Sequence, residues 1–183
     1  MKKYWDYFRK YDPTFLIVVL VLGLLLLILL FSFLKAIFVV IFFVLINILL
    51  RFYKRIIPSI PLEFEVITFG SLLCTIQYDI KAGIAVAILG SLLADIANGT
   101  INPGNFVMTA GYIGVAILGV FIPVTQFGLA GLYITFFYNI VIWLIFHLLF
   151  HHDLFKNTAY SITNLIFNYF LFTSLSAIAV LIL

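Results

Sequence analysis

The chain has 183 residues, of which 66% are hydrophobic and only 9% charged, and its formal net charge is +3. Such a composition lacks the polar surface to cover a water-soluble globule, so a bilayer is the expected solvent and one integral membrane domain the expected answer. The basic residues cluster at the edges of apolar segments and form no aromatic-interleaved groove, which argues against a nucleic-acid partner, and the lone Cys74 excludes an internal disulfide.

Residues 1–13 make a basic, aromatic, amphipathic N-terminal segment. Asp12-Pro13-Thr14 then opens a helix, with Asp12 or Thr14 as cap and Pro13 tolerated in a first turn, where its missing N–H costs little. Thr14–Leu34 is a 21-residue apolar run with no small-residue cleavage site after it. It is long enough to cross a hydrocarbon layer about 30 Å thick and too long for a typical signal-peptide core, so it reads as a retained extra helix. Lys35–Phe52, apolar except for Asn47, is the second span and runs into Arg51, Lys54 and Arg55. A reversal near Ser32–Lys35 is expected to make the two a hairpin, because one helix over both would overrun the bilayer.

Pro58 and Pro61 break the chain before Leu62-Glu-Phe-Glu65, which starts a third span, Leu62–Tyr78. Lys81–Ala97 is the fourth. The uncharged link Asn98–Asn105 contains Gly99, Pro103 and Gly104 and reads as a compact loop, with Asn102 a cap for the fifth span, Asn105–Ile122. Pro123 and Gly128 mark the next turn, Phe127–Phe150 is the sixth span, and after the polar link 151–157 the seventh is Asn157–Leu183. The expected fold is all-α: a polytopic transmembrane bundle of about seven spans, one extra helix over 14–34 and a six-helix core over 35–183.

Lys and Arg set the expected orientation in the plasma membrane. With a cytoplasmic N-terminus, the inner side holds Lys2, Lys3, Arg9, Lys10, Arg51, Lys54, Arg55 and Lys156, against Lys35 and Lys81 outside. That bias predicts an outside C-terminus and puts the links 51–61, 98–105 and 151–157 on the cytoplasmic face.

Small residues recur at helical spacing in the fourth span (Gly83, Ala87, Gly90, Ala94), and Ala110, Gly114 and Gly119 repeat the pattern in the fifth. They suit either a tight helix pair or a gliding surface for a partner subunit. Glu63, Glu65, Asp79 and Asp95 lie near or within apolar segments, where a carboxylate tends to face a wet cavity or a partner. Asp95 shares a helical face with Asn98. These carboxylates read equally as ligand groups and as partners of Arg51, Lys54 or Arg55. Asn139, and Asn164 with Asn168 at i,i+4, suit interhelical hydrogen bonds or a polar solute.

No catalytic residue is assigned: the chain has no Gly-x-Ser-x-Gly, phosphate-cradling loop or HExxH pattern. His147, His151 and His152 lack a Cys or HExxH context, so no metal and no cofactor are expected.

From Glu63 onward the order of features resembles the membrane-embedded S components of energy-coupling-factor vitamin transporters and the related rod-shape protein MreD. The residues carrying the resemblance are Glu63-x-Glu-x-Ile-Thr-Phe-Gly70, Lys81 through Asp95, Asn102-Pro-Gly-Asn-Phe106 and Gly111-Tyr-Ile-Gly114, and it covers Lys35 to the C-terminus. It implies a six-helix bundle that binds a vitamin-like polar solute for uptake with energising subunits, in a pocket built from the loops after the first, third and fifth core helices. Here these are the links 51–61, 98–105 and 151–157. The candidate lining is Glu63, Glu65, Asp95, Asn98, Asn102, Asn105 and Asn168. The MreD side of the resemblance implies instead an assembly protein with membrane partners and no transported substrate.

Overall fold

Runs of Leu, Ile, Val and Phe punctuated by Pro, Gly and Asn give helices joined by tight links. The computed structural model describes residues 13–57 and 60–182, and every regular element among them is helical. The N-terminal segment before Pro13, including the Asp12 cap, lies outside the described residues, as do Pro58, Ser59 and Leu183.

The elements are α1 (Pro13–Leu50), α2 (Tyr53–Ile56), α3 (Ile67–Gln77), α4 (Ile80–Asn98), α5 (Pro103–Gly119), α6 (Phe127–Leu148), α7 (Leu154–Ser174) and α8 (Ser176–Ile182), with a 3-10 turn at Val124–Gln126 before α6. Two compact units divide the chain, Met1–Ile37 and Phe38–Leu183. Three segments among the described residues are long and apolar enough to cross a bilayer: Leu34–Ile56, Ile80–Asn98 and Val124–Leu148.

The first unit is helical from Pro13, and the large apolar side chains described in it, such as Leu20, Leu24 and Leu27, are exposed. The expected hairpin is corrected here, since Ser32–Lys35 is helical and no reversal occurs. Ser32-Phe-Leu-Lys35 contains neither Gly nor Pro, and its Leu and Phe neighbours extend a helix more readily than they close a turn.

In the second unit α3 is the central element. Ile67 to Thr75 is buried on every side, and the helix packs against α4, α5, α6, α7 and α8. Its Phe69 ring sits 6.2 Å from Phe43, 5.2 Å from Phe127 and 5.0 Å from Phe172. At eleven residues it is only about 16 Å long and does not cross a bilayer by itself. The expected start of this span at Leu62 is also corrected: Leu62–Val66 is not helical, and the helix starts at Ile67. Side chains replace its missing helical hydrogen bonds, the Glu63 N–H donating to Thr163 Oγ1 at 3.0 Å and the Val66 N–H to Asn47 Oδ1 at 3.2 Å. Asn47, fully buried, also donates to the Gly90 carbonyl at 3.0 Å and so ties α1 to α4.

The small residues of α4 are a packing surface. A Cβ at Gly83 would overlap Thr75 Oγ1 and lie 2.6 Å from the Ser71 carbonyl oxygen, so α4 presses directly on the backbone of α3. In α5 the expected stripe holds only at Gly119, where a Cβ would stand 3.0 Å from Thr75 Cγ2; Ala110 is exposed and Gly114 has open space around it. A further close approach is at Gly111, where a Cβ would stand 2.7 Å from the Tyr138 ring. The last span is interrupted at Leu175, between α7 and α8.

Candidate functional site

Links far apart in sequence meet around one cavity of about 550 Å³ in the second unit. Arg51 and Lys54 line it from the end of α1 and from α2, Asn102 and Asn105 from the α4–α5 link, and His152 and Lys156 from the α6–α7 link.

Local capping explains why each link has a definite form. Gly99 takes a left-handed φ of 68°, which lets the Thr100 N–H return to the Asp95 carbonyl at 2.9 Å and close α4. Asn102 caps α5 as expected, with Pro103 in the first turn, and the Asn102 N–H donates to Asn105 Oδ1 at 2.9 Å. Asp153 caps α7 by accepting from the Lys156 N–H at 2.9 Å.

Behind the lining lies a buried ion network. Arg51, 2% exposed, holds Asp95 Oδ1 through Nη2 at 2.9 Å and faces Glu63 Oε1 with Nε at 3.4 Å. Lys54 pairs with the other oxygen of Glu63, and Thr100 Oγ1 donates to Asp95 Oδ1 at 3.2 Å. Two cations thus face two carboxylates, which makes burial of all four tolerable. The Arg51 Nη1, Asp95 Oδ2 and Asn98 Oδ1 atoms are buried without a hydrogen-bond partner among the described residues. Asn98 turns its amide inward, donating to the Ala94 carbonyl at 2.9 Å.

The sequence candidates therefore fall into two groups. Asn102 and Asn105 line the cavity, with Glu63 and Asp95 attached to its lining through Arg51 and Lys54. Glu65 and Asn168 do not line it. Glu65, fully buried, accepts from the Thr68 N–H at 2.9 Å, the Thr68 hydroxyl at 2.7 Å, Asn164 at 3.2 Å and Asn168 at 2.9 Å. Asn139 extends this network by donating to Asn164 Oδ1 at 3.0 Å. Among the described residues no basic side chain is paired with Glu65; four donors and the positive end of α3 hold it. The geometry is that of an interhelical clamp.

Among the residues missed from sequence are Lys156, His152, Phe146, Met108 and Tyr160, all of which line the cavity. In the sequence Lys156 carries only a topology signal, whereas Asn164 and Asn168 at i,i+4 already mark a polar edge on the same helix. Lys54 Nζ lies 5.2 Å from the centre of the Tyr160 ring. His147 stacks on Trp143 at 5.4 Å and His152 on Phe146 at 5.0 Å, and no group of three or more His, Cys, Asp or Glu is placed to hold a metal among the described residues. No protein-family model, curated protein or solved structure matches the chain.

Proposed function

We propose that this is a multi-pass plasma-membrane protein that binds a small polar solute in the cavity, in the manner of an S component, and passes it on with membrane partner subunits. The observation that carries the reading is the convergence of the three links on one cavity of about 550 Å³. That volume suits a small organic molecule, since such sites run from about 300 to 1,000 Å³. Arg51 Nη1, on a residue that lines the cavity and buried without an acceptor among the described residues, gives a polar solute something to satisfy.

The count of spans follows α1. With no reversal before Leu50, the passes are α1, Leu62–Gln77, α4, α5, α6 and α7 with α8, an even number that leaves both termini on one side and the cavity links on the other. The non-helical Leu62–Val66 precedes the short α3 and belongs to the same pass.

Protein purified in mild detergent, then denatured and extracted, should release a small molecule detectable by mass spectrometry. An empty extract, with no stabilisation of the protein by any member of a vitamin panel, would defeat the solute-binding reading. The exposed apolar helix of the first unit favours a second reading, an MreD-like assembly protein whose membrane partners cover that helix. Such a protein would co-purify with partners and keep its role when the cavity lining is changed.

A further inference from the structure

We infer that the solute carries an anionic group, a carboxylate or a phosphate, attached to an apolar body; the inference rests on the solute-binding reading above. Arg51, Lys54 and Lys156 all line the cavity, and no carboxylate is among its described lining residues. Glu63 and Asp95 offset the charges of Arg51 and Lys54. The remaining positive charge is that of Lys156, whose ammonium makes no ion pair among the described residues.

Unused donors point the same way. Arg51 Nη1 is buried with no acceptor among the described residues, and a guanidinium edge of this kind is the group best shaped to receive a carboxylate or phosphate. Helix α5 opens at the cavity, where Gly104 and Asn105 follow Pro103, so the positive end of a 17-residue helix adds to the same field. The negative end of α4 is adjacent in the chain, but Gly99 and Thr100 N–H groups already cap its carbonyls. Ile101, Met108 and Phe146 supply apolar cover for the rest of the molecule. A free metabolite and the headgroup of an anionic phospholipid share this chemistry.

The test uses the full chain in phosphatidylcholine nanodiscs and four probes of one shape, benzoate, benzyl phosphate, benzyl alcohol and benzylamine, at constant ionic strength. Benzoate or benzyl phosphate should raise the unfolding temperature, and the neutral and cationic probes should not. Lys156→Gln, an exposed position that leaves the Asp153 cap intact, should weaken the anion by about fivefold, as expected for one partly exposed charge contact. Nanodiscs containing phosphatidylglycerol separate the sources. Loss of the benzyl phosphate effect there, with that lipid enriched in the extract, identifies a headgroup; an unchanged effect, with a water-soluble anion in the extract, identifies a free solute. Stabilisation by benzylamine or benzyl alcohol, or release of a neutral or cationic molecule, would overturn the anion inference while leaving solute binding intact. Binding of no probe and an empty extract would remove both.

Discussion

Arg51 connects the two carboxylates nearest the cavity lining, and it is the residue on which the site depends. Replacing one member of a buried ion network leaves the others charged and unpaired at a cost of about 3–5 kcal/mol. Arg51→Gln should therefore lower the unfolding temperature in detergent sharply, and Arg51→Gln with Asp95→Asn should recover part of the loss. An unchanged unfolding curve for the single variant would mean that the network is not formed. Glu65→Gln probes the other network. It puts an amide where Thr68, Asn164 and Asn168 all donate, so about 1–3 kcal/mol should be lost. Because Glu65 does not line the cavity, the variant that remains folded should bind the proposed solute as the unchanged protein does. The choice between these two roles was not legible in sequence: Glu63 and Glu65 are two positions apart in a non-helical segment, and long-range partners send one to Arg51 and the other to Asn168.

Among the elements, α4, α5 and α6 follow the apolar runs closely, because each is bounded by residues with strong local preferences: Asp79, Gly99, Asn102 with Pro103, and Pro123. α1 departs from expectation because nothing in Ser32–Lys35 turns the chain, and α3 because the deciding contacts are not local. Asn47 and Thr163 satisfy the backbone that would otherwise have begun α3 earlier. Small-residue spacing alone could not tell contact from open space, and two substitutions separate them. Gly83→Ala forces α4 off the α3 backbone and should cost about 1–3 kcal/mol, as overpacking does. Gly114→Ala meets nothing within 4 Å and should be neutral or stabilise by up to about 1 kcal/mol through helix propensity. Equal unfolding temperatures for the two variants would contradict the packing of α3 on α4.

For the molecule as a whole, composition made the all-helical class and the apolar exterior legible, whereas the number of passes turned on whether Ser32–Lys35 reverses. Six passes predict that tags at the two termini report the same side and that a cysteine introduced at Phe155 is labelled from the other; seven passes predict opposite tags. The non-helical Leu62–Val66 segment also constrains biogenesis. Its backbone at Glu63 is satisfied by Thr163, 100 residues later, and Glu65 relies on Asn164 and Asn168, which emerge later still. A nascent chain that has delivered only its first half to the bilayer holds irregular backbone and a carboxylate that hydrocarbon does not solvate. Stable insertion therefore waits for α7, and chains truncated before Leu154 should be degraded quickly, as substrates of membrane quality control.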